Sequence, residues 1–196
     1  MDEYRLLGPI RLLQIQKETL RIGVRPNRVY RTDPLASVPA LVLSPGGSIA
    51  KIDGGWMVDV HHTAHPANAQ PSLDRLLSVG FTSHYAAMAE HFGSATVGDA
   101  GENIIVETDD IITQDQIAAG LLIERPGGII ELHDPAVAEP CVPFTRFRLG
   151  DPAADLELVN PNREFLRDGM RGYVMGLGNL TAAVAVEVGD LVYARS

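Results

Sequence analysis

The chain has 196 residues, a formal charge of −9 at pH 7, 45% hydrophobic and 21% charged residues; this is the size of one domain, 1–196, able to bury a sizeable core. Mean hydropathy is close to zero and no apolar run approaches the ~18 residues of a membrane span, so a disordered chain and a membrane-spanning one are both excluded, while the net acidity argues against nucleic acid or an anionic membrane as partner. A single cysteine, Cys141, excludes an intramolecular disulfide and a cysteine-rich zinc site and leaves one free thiol.

The opening "MDEYRLLGPIRLLQIQ" places acids ahead of its apolar residues and offers no small-residue cleavage site. It does not read as a secretory signal, and the expected location is cytoplasmic. Short β-prone runs bounded by Gly, Pro, Asn and Asp then recur at 10–16, 40–47, 56–62, 103–108, 127–134, 156–160 and 180–195. The last contains "VEVGDLVY", where Gly189-Asp190 is expected to turn between two strands. The stretch 44–55, "SPGGSIAKIDGG", reads as a loop or hairpin, and 62–72, "HTAHPANAQPS", as an irregular surface loop.

Three helices interrupt this pattern. In "TSHYAAMAEHFG" Tyr85, Met88, Ala89 and Phe92 recur at helical spacing, with Thr82 or Ser83 as the expected cap and Gly93 at the end. "TQDQIAAG" (113–120) has the form of a capping box, and "NPNREFLRDG" (160–169) places Asn160 as N-cap with Pro161 at the first helical position. Strands outnumber helices and do not alternate with them, so the expected fold is mainly β with a few helices, an antiparallel β-barrel.

The charge is unevenly spread. No Lys or Arg lies between Arg75 and Arg125, whereas Arg146, Arg148, Arg163, Arg167 and Arg171 crowd into a short stretch. Fourteen of the 16 basic residues are Arg, whose planar fork suits phosphate or carboxylate; a solvated arginine-rich face is the plainer account. Cys141 lies in "EPCVPF", between Pro140 and Pro143. Proline restrains its own φ and that of its predecessor, so the thiol is carried on stiff backbone. A thiol is nucleophilic only as thiolate, which nearby positive charge favours, yet free cysteine is among the most buried residue types and is more often an inert apolar group. In "HHTAH" the i, i+4 spacing of His61 and His65 would suit zinc on a helix, but the glutamate of H-E-x-x-H is absent and Pro66 follows at once. No nucleophile elbow, phosphate loop or dinucleotide fingerprint is present.

Taken in order, "VDVHH" (58–62) before "SHYAAMAEHFG" (83–93), "GENIIVE" (101–107), "GIIELHDPAVAEPC" (128–141) and "FLRDGMRGYVMGLGNLTAAVAVEVGDLVY" (165–193) resemble the segments of the MOSC domain, the module named after the C-terminal part of molybdenum cofactor sulfurase. The resemblance runs from about residue 56 to 193 and implies a stand-alone MOSC-like β-barrel. In that family the cysteine carries persulfide sulfur or ligates molybdenum in the molybdenum cofactor, so Cys141 is implied as the sulfur-bearing or metal-bound group, with a sulfur donor or a redox protein as partner; pyridoxal phosphate binding is a further expectation of the resemblance. Matched residue by residue, Glu102 and Asn103 stand for the family's Glu-Asn pair and Asp59 with His62 for its Asp-x-x-His. Arg146, Arg148 and Arg171 are the local candidates to hold the cofactor's phosphate. The family often has Arg three residues before the cysteine and Gly-Gly after the histidine, where this chain has Ala138 and Thr63-Ala64. The rival reading is a non-catalytic barrel that binds a small ligand or a partner protein.

Overall fold

The computed structural model describes residues 4–68, 70–178 and 180–195. In chain order its elements are β1 (Tyr4–Gln16), β2 (Arg21–Ile22), β3 (Val29–Tyr30), β4 (Leu35–Val38), β5 (Ala40–Ser44), β6 (Gly47–Ile52), β7 (Gly55–Val58), β8 (Leu77–Phe81), α1 (Thr82–Phe92), β9 (Ile104–Val106), β10 (Leu121–Arg125), β11 (Gly128–Val137), α2 (Val142–Leu149), α3 (Leu156–Phe165), β12 (Tyr173–Gly176), β13 (Val184–Glu187) and β14 (Leu191–Arg195). Seven strands close in the order β14-β10-β11-β12-β8-β9-β1, with β1 returning to β14. The far end of β1 also pairs with β4, a second sheet runs β13-β5-β6-β7, and β2 and β3 form a separate ribbon.

The fold is mainly β and closed, as expected, but the barrel is mixed. β8 and β9 run parallel, with Val79 opposite Ile104 and Phe81 opposite Val106. A parallel neighbour needs a crossover rather than a tight turn, and α1, entered directly from Phe81, supplies it. Every other pairing is antiparallel. The uninterrupted "IIV" of β9 follows from its position, since a strand covered on both faces has no reason to alternate. Ile104 and Val106 join the cluster inside the barrel, whereas Ile105 meets Tyr85 and Met88 of α1 and Phe144 of α2 outside it. Each such side chain contributes roughly 1.5–3 kcal/mol of apolar burial.

The closing seam depends on a glycine. At Gly8 the pairing of β1 with β14 shifts register, φ is +150°, and a methyl group there would lie 1.8 Å from the carbonyl oxygen of Glu107. Only a residue without a side chain lets β1 pass that close to the neighbouring backbone.

Several sequence expectations need correction. The run 156–160 is helix, not strand: Asp155 caps it by accepting from the backbone N–H of Leu158, so Asn160 lies inside α3 and Pro161 is internal. The segment after Cys141 is also helical, with Cys141 as the N-cap of α2 and Pro143 in its first turn, where a missing N–H costs nothing. The expected helix at 113–120 shrinks to one 3-10 turn, Asp115–Ile117. Neither Thr82 nor Ser83 caps α1; their hydroxyls donate instead to the carbonyls of Thr108 and Asp110. Gly189-Asp190 does turn between two strands, but β13 and β14 belong to different sheets. The loop 62–72 is irregular as expected, with Ala69 outside the described residues.

Candidate functional site

Cys141 heads α2, half-buried, with one side against the aromatic cluster of Tyr30, Phe144 and Phe147 and the other on a cavity of about 560 Å³. Five arginines line that cavity with it: Arg21, Arg25 and Arg28 from the β2–β3 ribbon, Arg146 from α2 and Arg163 from α3. No Asp or Glu borders it. Arg146 spends its Nε on the carbonyl of Ala154 at 2.9 Å. The side chains of Arg21, Arg25, Arg28 and Arg163 have no hydrogen-bond or ion-pair partner among the described residues, and the Nε of Arg28 is buried without an acceptor. In a chain of charge −9, five cations without a carboxylate describe a place for an anion.

The ribbon owes its position to Tyr30. Its ring packs edge-on against Phe144 at 5.0 Å and tilted against Phe147 at 5.1 Å, and its hydroxyl donates to the carbonyl of Asp99 at 2.8 Å. Three arginines that are distant from Cys141 in sequence are thereby brought to the thiol's side of the molecule.

Arg21 also borders a second cavity, of about 580 Å³, where Arg75, Arg171, Glu102, Glu139 and His61 come together. Glu102 is fully buried, and its Oε2 accepts from the Tyr85 hydroxyl at 2.6 Å. Burial raises its pKa to about 7, against the lowering influence of the Tyr85 hydrogen bond and the Arg171 charge. Space for it is made by Gly80 and Gly172: a methyl group on Gly80 would stand 2.5 Å from Oε1, and one on Gly172 3.1 Å from it. Arg171 reaches the carbonyl of Glu139 at 3.0 Å and lies over the Phe144 ring at 4.8 Å. Its guanidinium thus lines the cavity together with Ala138.

Asp59 and Asn103 do not line this cavity but hold three residues that do, Gln16, His61 and Ser78. Asp59 is fully buried and accepts four hydrogen bonds, from Gln16 N at 2.7 Å, Asn103 Nδ2 at 2.9 Å, His61 N at 2.9 Å and the His61 ring Nδ1 at 2.9 Å. Burial alone would raise its pKa, but His61 and the backbone donors hold it below the usual carboxylate range. Asn103 accepts from both the N–H and the hydroxyl of Ser78 at 3.0 Å, which ties β8 to the start of β9.

Among the expected site residues, then, Glu102 and Arg171 line one cavity, Cys141 and Arg146 line the adjoining one, and Asp59 and Asn103 lie behind the first without bordering it. Arg148 lies elsewhere: it is buried, pairs with Asp99 at 3.3 Å, donates to the carbonyl of Ser94 and borders neither cavity. His62 also turns away. Its Nδ1 accepts from Ala64 N and its Nε2 meets the Ser44 hydroxyl at 3.2 Å, while burial lowers its pKa. Gly46 and Gly47 of the β5–β6 turn pack against His62, and a methyl group on Gly46 would stand 2.8 Å from its ring Cε1. Residues 61–65 are turns, not helix; among the described residues no group of three or more His, Cys, Asp or Glu is arranged to hold a metal ion. Neither Lys17 nor Lys51 borders the two cavities, so a pyridoxal phosphate aldehyde finds no amine there. No described helix is long and apolar enough to cross a membrane.

Fold and site together define a closed mixed β-barrel with a thiol and two adjoining cavities rich in arginine. No family model matches the sequence, and neither does any curated protein. Solved structures do share the fold. The YuaD protein of Bacillus subtilis superposes with a TM-score of 0.61 at 14% identity, over 100% of this chain and 99% of that one. YiiM from Escherichia coli gives a TM-score of 0.50 at 14% identity, over 100% of this chain and 70% of that one.

Proposed function

We propose that this is a MOSC-type protein in which Cys141 bears sulfur as a persulfide or binds the molybdenum cofactor. The observation that carries the reading is the thiol's place on the wall of a cavity whose charged lining residues are all arginine. The barrel shared with YuaD and YiiM, both MOSC-domain proteins, supports the same family. The donor set suits the cofactor: Cys141 offers a soft sulfur ligand for molybdenum, and Arg21, Arg25, Arg28, Arg146 and Arg163 offer charge-assisted hydrogen bonds to a phosphate. Bound there, the cofactor would supply two-electron redox chemistry; the chain's own part is to hold the phosphate and present the thiolate.

In the sulfur-carrying version the Cys141 thiolate attacks the outer sulfur of a donor persulfide. A bond forms between Sγ and that sulfur, the donor's S–S bond breaks, and the donor leaves as its thiolate, with no net oxidation. The partner is a sulfur donor, or in the cofactor version a redox protein. Treating the folded protein with a small persulfide donor and mapping peptides by mass spectrometry is expected to show one added sulfur atom on Cys141 and none in Cys141→Ser. Protein purified from a host that makes the cofactor is expected to retain molybdenum, and Cys141→Ser to lose it. A wild-type protein that takes up neither sulfur nor molybdenum overturns the proposal.

A further inference from the structure

Each of the six histidines can be asked what occupies its basic nitrogen. His62 and His65 accept on Nδ1 from the backbone N–H of Ala64 and Ala67. His84 accepts on Nε2 from Ile112 N; His91 and His133 turn Nε2 toward acceptors, the Asn162 side-chain oxygen at 2.9 Å and Glu131 at 3.5 Å, which leaves Nδ1 as their basic nitrogen, but neither ring borders either cavity. His61 differs. Its Nδ1 faces the buried Asp59 carboxylate at 2.9 Å, and a carboxylate that also takes three N–H bonds is an acceptor, so the proton belongs on Nδ1. Nε2 then has no partner among the described residues, on a ring that lines the 580 Å³ cavity and whose side chain is 48% exposed to solvent.

We propose that His61 is the proton acceptor of this cavity, with Asp59 as its positioning residue, and that the ligand is a small anion carrying an ionisable O–H, N–H or S–H. The three guanidiniums of Arg21, Arg75 and Arg171 supply the attraction for the anion. The step is a simple transfer: the ligand's X–H bond breaks, an N–H bond forms at Nε2, and the imidazolium pairs with Asp59 while X⁻ stays among the arginines. Glu102, across the same cavity, is the acid group available to return a proton. The inference rests on reading this cavity as the ligand site, but not on the thiol; the persulfide experiment reads Cys141 alone, so either can fail without the other.

Two measurements test it. In protein labelled with ¹⁵N-histidine, two-bond ¹H–¹⁵N correlations at alkaline pH are expected to show His61 as the Nδ1–H tautomer, the minority form of free histidine. An Nε2–H tautomer at His61 overturns the proposal. The second probe is 4-hydroxy-3-nitrobenzoate, an anion whose phenol changes colour on losing its proton. On binding to the wild type its ionisation is expected to rise about tenfold, equivalent to one pKa unit, and His61→Gln is expected to abolish that rise. A probe that fails to bind, or is ionised equally by His61→Gln, overturns the assignment.

Discussion

Replacing Asp59 by alanine is expected to cost about 3–4 kcal/mol of stability, because each buried donor left without an acceptor costs roughly 1–3 kcal/mol. Gln16 N and Asn103 Nδ2 both end on Asp59 Oδ2. Asn103 keeps a longer contact to the Gln14 carbonyl at 3.3 Å, whereas no other acceptor serves Gln16 N. Asp59→Asn is nearly isosteric but turns its NH₂ toward donors on one side or the other, and about 2 kcal/mol is expected. The pH dependence separates charge from shape. The folded pKa of Asp59 lies below the ordinary aspartate value of 3.8, so its stabilising contribution is complete above that value and is lost as pH falls through the folded pKa. Urea unfolding followed below about pH 4 is expected to show this loss in the wild type and not in Asp59→Asn. An Asp59→Ala variant as stable as its parent would remove the basis for treating this junction as the support of the residues that line the cavity.

Glu102→Gln is expected to act in the opposite direction. A carboxyl raised from 4.5 to about 7 binds its proton more tightly folded than unfolded, so its contribution is complete below the unfolded value and is lost as pH rises through the folded one. A shift of that size corresponds to about 3 kcal/mol. The amide can still accept from Tyr85, so relative to the parent Glu102→Gln is expected to gain about 3 kcal/mol between about pH 5 and pH 8. The comparison has to be made against the parent at each pH, since His84, held neutral by burial with a pKa of about 4, contributes the reverse slope over nearly the same window. A stability difference that does not change with pH would show that Glu102 is ionised throughout. The cavity keeps such a group at a cost to the fold at neutral pH, which is the pattern of a residue retained for proton chemistry.

Strand positions were legible in the sequence wherever turn residues bracket β-prone runs, as at β5, β9, β11 and β14. The parallel pair was not, because direction depends on what α1 packs against rather than on anything inside "IIV". The helix at 142–149 was hidden by Pro143, which reads as a stiff extended segment but is equally at home in a first turn. α3 was misplaced because Asn160-Pro161 imitates a helix start, while Asp155, five residues earlier, makes the capping bond.

The site divides in the same way. Asp59, Glu102, Asn103 and Cys141 came from short motifs, and the structure places Glu102 and Cys141 on the two cavities and Asp59 and Asn103 behind the first. His61 was passed over in favour of its neighbour because the matching spacing fell on His62. The available signal was local: an aspartate whose side chain accepts from the N–H two residues later bends the chain back and carries that residue's ring with it. Arg21, Arg25 and Arg28 carried no such signal, since only the packing of Tyr30 connects "RIGVRPNR" with a cysteine more than a hundred residues away. Arg148 was expected at the site for its nearness in sequence to Cys141, but α2 turns it to the opposite side, toward Asp99.

The pairing of β1 with β14 also sets an order of events during synthesis. These strands are the first and last of the described chain, so the barrel cannot shut until nearly all of it has left the ribosome, and contacts this distant in sequence form slowly. Until then both rims of the gap expose unpaired backbone, with Leu6 lying 54% exposed even after closure, leaving an edge onto which another chain could add in place of β14.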